Sequence, residues 1–187
     1  MGLPTPPMYL IAAADAKMGI GKNNHLPWDL PKEFAYFVNT TKQTVDPKKR
    51  NAVITGRKTY EGIPEKFRPF KGRLNIVLSR TKKDIKGADF VCGSLEEALN
   101  VVSKPPHNQE IESVFNIGGA EVYKAGLLLP ACRRIYLTRV FATFDCDTFF
   151  PDFDRNVFQK ISLPTVPSGI QEENGIQYEF EVYERKT

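Results

Sequence analysis

Short apolar runs alternating with segments of helical spacing constrain this chain most. Met8 to Ala14 (MYLIAAA) is a continuous apolar run, the pattern of a strand buried on both faces. Residues 51–55 (NAVIT), 73–79 (RLNIVLS), 113–117 (SVFNI) and 134–141 (RIYLTRVF) repeat it, and 88–92 (ADFVC) does so more weakly. Helical segments fall between them. Pro31 can open one, because its missing N–H costs nothing in a first turn, and Leu30, Phe34, Phe37, Val38 and Thr41 follow at helical spacing. Ser94 with Glu97 three residues on reads as a capping box for a helix to about Val102, and another helix is expected from Ala120 to about Leu129. Such alternation predicts an α/β fold with a largely parallel sheet. The tail breaks it. Two strand patterns, 158–163 and 176–184, are joined by a Pro-, Ser- and Gly-rich loop at 164–175, which predicts an antiparallel addition at one sheet edge. With no repeat and no long linker, the chain reads as one domain, 1–187, in which 1–7 form a flexible N-terminal extension.

Composition excludes several functions. Lys and Arg number 26 against 22 Asp and Glu, and the densest basic run, Lys48-Lys49-Arg50, is too short for a nucleic-acid stripe. Cys92, Cys132 and Cys146 stand far apart with no CxxC, and His25 and His107 are the only histidines, so neither a disulfide framework nor a metal site is expected. No stretch approaches the roughly 20 apolar residues of a membrane span. The first seven residues lack the regions of a signal peptide. A reduced, cytoplasmic protein is the expectation.

The chemistry concentrates where strands end. Gly118-Gly119 follows the SVFNI strand and opens the helix at Ala120, with Glu121, Val122 and Tyr123 in its first turn. Glycines there leave backbone N–H groups open to an anion, or simply serve a tight turn. Neither GxGxxG nor a P-loop is present. Gly56-Arg57-Lys58-Thr59 and Ser79-Arg80-Thr81-Lys82-Lys83 likewise place hydroxyls and cations beyond carboxyl ends of strands, where open α/β sheets bind ligands. Hydroxyl plus guanidinium suits a phosphate monoester such as the 2′-phosphate of NADP; two solvated turns are the alternative. Glu33 falls in a first turn beside Phe34 and Phe37. It either complements the helix dipole or stands at the rim of an aromatic pocket that retunes its acidity. Arg73 is either a carboxylate binder or an exposed strand end. Trp28 either caps the core or lines a pocket.

Taken together, these blocks resemble the dihydrofolate reductase family. Met18-Gly19-Ile20-Gly21-Lys22-Asn23 with Leu26-Pro27-Trp28 is similar to its mobile active-site loop, and Glu33-Phe34-Phe37 to its acidic helix. Gly56-Arg57-Lys58-Thr59 with Ile63-Pro64, Arg73 through Arg80, Ile117-Gly118-Gly119, Thr138, and Asp147-Thr148-Phe149-Phe150-Pro151 follow in order. Tyr60, where the family often has tryptophan, and the aromatic pair Phe67 and Phe70 depart from the pattern in ways that bear on inhibitor selectivity. The resemblance implies a mixed, mainly parallel sheet of about eight strands with flanking helices and an antiparallel carboxyl-terminal end. It implies NADPH as cofactor, 7,8-dihydrofolate as substrate, antifolate inhibitors as ligands, a monomer and no metal. Hydride would pass to pterin C6 and a proton to N5. Catalysis would rest on Glu33, Thr138 and Trp28, with Glu33 binding the pterin amino group and ring nitrogen while water delivers the proton. Ile11, Ala12 and Ile117 would face the pterin, Leu26, Phe34, Phe37 and Ile63 would pack its rings, and Arg73 would pair with the glutamate tail. Ala12, Ile20, Gly21 and Ile117 would contact the cofactor. Gly118 and Gly119 would approach the pyrophosphate, and Ala120, Glu121, Val122 and Tyr123 would also contact the cofactor. Gly56, Arg57, Lys58 and Thr59, with Leu78, Ser79 and Arg80, would hold the phosphates and adenosine. The rivals are another NADPH reductase on the same fold and a basic binding module without catalysis.

Overall fold

The apolar runs become strands of one nine-stranded sheet. In chain order come β1 (Met8–Ala14), β2 (Gly19–Gly21), α1 (Pro31–Lys42), β3 (Arg50–Gly56), α2 (Arg57–Glu61) and β4 (Leu74–Leu78). Then follow β5 (Phe90–Cys92), α3 (Leu95–Ser103), α4 (His107–Glu110), β6 (Ile111–Asn116), α5 (Ala120–Leu127) and β7 (Cys132–Val140). The tail holds β8 (Thr148–Phe149), β9 (Phe158–Ile161), β10 (Ile170–Glu173) and β11 (Ile176–Arg185). The computed structural model describes residues 5–187.

The strand order is β10-β11-β7-β1-β6-β3-β4-β5, with β9 pairing to β11 off this path. Pairings from β7 through β5 are parallel, and those of β11 with β7, β9 and β10 are antiparallel. The expected mixed sheet with an antiparallel carboxyl-terminal end is thus what the chain forms. Side chains of β1 explain its unbroken apolar run. Met8, Leu10 and Ala14 pack with Leu95, Ala98 and Val102 of α3 and Tyr123 of α5. Ile11 and Tyr9 point to the other face, where Phe37 of α1 covers them. Helices on both faces leave no polar side for a central strand to show.

Four expectations need correction. The segment expected to be a loop, 164–175, contains β10, turned back onto β11 by Asn174 and Gly175 at φ 52 and 75. Such a two-residue turn with both φ positive matches the twist of a hairpin. The loop after β1 carries β2, which pairs with β8 in a second small sheet. Of the N-terminal extension, residues 1–4 lie outside the described residues. The rest is not loose: Pro6 is buried and the Pro7 carbonyl accepts from Val114 N–H at 2.9 Å. The capping box closes differently from expectation at one end. Ser94 Oγ accepts from Glu97 N–H at 3.1 Å, but the Glu97 carboxylate reaches back to Gly93 N–H.

Connectivity sets where a site can lie. From β1 the chain crosses through α1 to β3 and builds outward to β5, then returns to β6 beside β1. From β6 it leaves through α5 to β7 on the opposite side of β1. The carboxyl ends of β1 and β6 therefore flank the reversal of strand order, the place where ligands enter open α/β sheets.

Candidate active site

Glu33 is the third residue of α1, and it is buried, 6% exposed. Its partner comes from the sheet: Thr138 Oγ on β7 donates to Glu33 Oε1 at 2.9 Å. Burial raises the Glu33 carboxyl to about 7; the Thr138 hydrogen bond opposes this and the Glu173 charge adds to it. The helix-dipole alternative, with the carboxylate out in solvent, is therefore replaced by a buried acid that exchanges a proton near neutrality.

That position has a measurable cost. Between the ordinary 4.5 and the folded value of about 7, the folded chain keeps a proton that the unfolded chain has released. Stability therefore falls as pH rises through this window and is lowest above it. At 1.36 kcal/mol per unit the loss approaches ~3 kcal/mol. In Glu33→Gln that slope should vanish, so the variant gains on wild type at pH 8 but not at pH 4. Urea unfolding at both pH values measures it, and parallel wild-type and variant profiles would contradict the assignment.

An aromatic run leads away from the acid. Phe34 meets Phe67 at 5.6 Å and Phe37 at 5.8 Å between ring centroids, and Phe37 meets Phe70 at 5.8 Å. The Arg73 guanidinium lies 5.2 Å from the Phe70 ring. Arg73 is 6% exposed, not an exposed strand end. Its Nη1 donates to Thr41 Oγ at 2.8 Å and its Nε to the Lys71 carbonyl at 3.0 Å. Among the described residues it forms no ion pair with a carboxylate. A buried cation held by neutral groups alone is a site for an incoming anion. Ile63 and Ile11 pack in the same cluster as Phe37 and Phe70, and Leu26 is half-exposed. Trp28 is buried against Phe144, with rings 5.4 Å apart, and its Nε1 has no hydrogen-bond partner. It caps a core cluster with Leu30, Val140 and Tyr178.

The second group of residues gathers around α5. Ile117 N–H bonds the Ile54 carbonyl at 2.9 Å, and the Gly118 carbonyl accepts from Gly56 N–H at 2.8 Å and Thr55 Oγ at 3.0 Å. This joins the end of β6 to the start of α2, so that a Cβ on Gly119 would stand 2.9 Å from Thr59 Oγ. No side chain caps α5. Its first bond runs from Tyr123 N–H to the Gly119 carbonyl, leaving the amides of Ala120, Glu121 and Val122 outside the helical ladder. Leu78 ends β4, nearby in the strand order, Ser79 follows it, and Arg80 is exposed. Arg57 is less free than its sequence position suggests: it pairs with Glu61 at 3.1 Å, and Lys82 shares that carboxylate at 3.3 Å. Tyr123 does not face outward beside Glu121. It is buried, and its hydroxyl donates to the Ile11 carbonyl at 2.7 Å.

The loop expected to be mobile is fastened at several points. Asp15 accepts from Gly19 N–H at 2.8 Å and from Phe144 N–H at 2.9 Å, and Phe150 N–H bonds the Met18 carbonyl at 2.8 Å. Ile20 and Gly21 thus sit in a clasped β2, and Ile20 packs against the same core cluster as Ala12 of β1. Sequence reasoning missed Asp15, whose lone carboxylate between Ala14 and Ala16 carried no pattern. It also missed Glu173. Among the described residues there is no cluster of three or more His, Cys, Asp or Glu suited to a metal, and no helix is long and apolar enough to cross a membrane.

Comparison with known proteins agrees on one family. The family model described as dihydrofolate reductase matches residues 7–185. Dihydrofolate reductase of Drosophila melanogaster is 42% identical over 178 residues, covering 94% of this chain and 96% of that protein. That of Rattus norvegicus is 44% identical over 183 residues, covering 96% and 98%. Among solved structures, Schistosoma mansoni dihydrofolate reductase superposes with a TM-score of 0.86 at 34% identity, covering 98% of this chain and 100% of that one.

Proposed function

Because this chain belongs to the dihydrofolate reductase family, we propose that it reduces 7,8-dihydrofolate to tetrahydrofolate with NADPH, using Glu33 as its single acid. The observation that carries this reading is the line from a buried carboxyl, along four phenylalanines, to a buried and carboxylate-free arginine. A pterin, a benzoyl ring and an acidic tail have that order of chemistry. Glu33 binds the pterin amino group and ring nitrogen, and Thr138 fixes which oxygen is offered. At about 7 the carboxyl is half-protonated near neutrality, so it can raise the basicity of N5 while water delivers the proton. Ile117 and Ile11 present backbone carbonyls; the Ile11 carbonyl already takes the Tyr123 hydroxyl but has a second lone pair. Phe34, Phe37 and Ile63 exclude water from the ring.

The α5 end fits a dinucleotide: uncapped amides, two glycines without room for a Cβ on Gly118 or Gly119, and hydroxyls at Thr59 and Ser79. NADPH, when bound, supplies the hydride. Ala120, Glu121 and Val122 amides hold its pyrophosphate, while Lys58, Thr59, Ser79 and Arg80, with Arg57 drawn from Glu61, hold its phosphates and adenosine end.

Loss of NADPH absorbance on adding dihydrofolate tests the reaction directly, and its absence would sink the reading. A sharper test addresses the substrate's tail. Lysine cannot copy the two-pronged grip of a guanidinium. Arg73→Lys should raise KM for dihydrofolate about tenfold if ~1.4 kcal/mol is lost. Reduction of a tail-less dihydropterin should hardly change. Equal losses on both substrates would place Arg73 in the fold instead.

A further inference from the structure

Helix α1 starts without a cap of its own. Leu30 occupies the N-cap and offers no side-chain acceptor, and Pro31 has no N–H to give. The missing acceptor comes from 141 residues away: both Glu173 carboxylate oxygens accept from Lys32 N–H, at 2.8 and 3.1 Å. Glu173 is the last residue of β10, where the hairpin turns into β11. Tyr178 O–H donates to it at 3.3 Å, and the neighbouring Asn174 Nδ2 donates to the Asp29 carbonyl at 3.0 Å. The hairpin tip is therefore docked on the first turn of the helix that carries Glu33.

We propose that Glu173 is a positioning residue for Glu33, capping the acid's helix from the hairpin and setting a carboxylate against the first turn that carries the acid. This rests on Glu33 being the acid of the proposed reaction. Several groups surround Glu33: Tyr36 on its own helix, Thr138 on β7, Tyr123 of α5, Tyr178 of β11 and Glu173 of β10. Burial raises all three tyrosines above their ordinary value, so they stay neutral, and Thr138 does not titrate. A negative charge near a buried carboxyl favours its protonated form. Capping and charge thus act together, which separates Glu173 from an ordinary helix cap.

Glu173→Gln keeps an acceptor for Lys32 N–H and removes the charge. Asn174→Gly removes the other tie while keeping the turn, since glycine tolerates its positive φ. The readout is the titration of the Glu33 carboxyl by carbon-13 NMR on glutamate-labelled full-length protein, the signal being assigned by its loss in Glu33→Gln. The Glu33 midpoint should move down in Glu173→Gln and stay in place in Asn174→Gly. Turnover at alkaline pH should fall with it, about tenfold for each unit moved, with KM little changed. An unmoved midpoint in Glu173→Gln, or an equal movement in Asn174→Gly, would overturn the proposal. Because the NMR midpoint needs no turnover, it is read separately from failure of the dihydrofolate assay.

Discussion

Replacing Glu33 by glutamine is expected to cut dihydrofolate turnover at neutral pH on the order of 10²–10⁴-fold, the usual weight of a lost acid group. Glutamine preserves the volume, the first-turn position and an oxygen for the Thr138 hydroxyl, which now donates at 2.9 Å. It cannot exchange a proton. NADPH binding should survive, because the uncapped start of α5 and the Gly118–Gly119 turn belong to other elements of the sheet. The wild-type rate should fall as pH rises past about 7, where the carboxyl loses its proton. The variant's residual rate should lack that step. Steady-state rates across pH, with a separate NADPH titration, give both readings. Near-normal turnover in the glutamine protein would remove Glu33 from the mechanism.

The second large effect is expected at Gly118. Its φ is 93, in the region that side chains rarely adopt, and a Cβ would lie 2.6 Å from Cε2 of Tyr123. Tyr123 cannot swing away cheaply: it is buried, and its hydroxyl is held on the Ile11 carbonyl at 2.7 Å. Gly118→Ala should therefore cost about 1–3 kcal/mol in backbone strain. Overpacking against the ring should add a further ~1–3 kcal/mol. NADPH affinity should drop as well, since the same turn opens α5. Gly169→Ala separates the terms. Its φ is 83 but nothing lies within 4 Å of its added Cβ, so it should show strain alone. Urea unfolding of both variants checks this, and equal destabilisation would mean the tyrosine yields.

What the sequence disclosed follows from how far each feature's cause extends along the chain. Central strands such as β1 and β3 are apolar on both faces, so their runs are continuous and visible locally. β2 and β8 are short and exist because Gly19 meets Phe149, which no local pattern reveals. β10 did leave a signal, Asn174-Gly175 flanked by alternating residues, masked by the prolines before it. The same holds for the site. Glu33 and Arg73 were visible as residue types, each with a bland alternative. Burial decided between the alternatives, and burial depends on Thr138, 105 residues from Glu33. Tyr123 was placed by its neighbours in sequence, yet a helix sends successive side chains in different directions, and its hydroxyl ends on β1.

The placement of β1 also bears on how this protein is made. As the chain is synthesised, β1 emerges before either of its neighbours, with both its edges unpaired. Its partners are encoded much later: Met8 lies opposite Val114 of β6 and Cys132 of β7. At ~5–20 residues per second, the first strand waits many seconds for either neighbour to be made. Exposed strand edges invite pairing with other chains during such an interval. Ordering non-local strands before their contacts form also slows folding. The central strand that organises the finished sheet is thus, in the nascent chain, a strand with two open edges that only later-made segments can close.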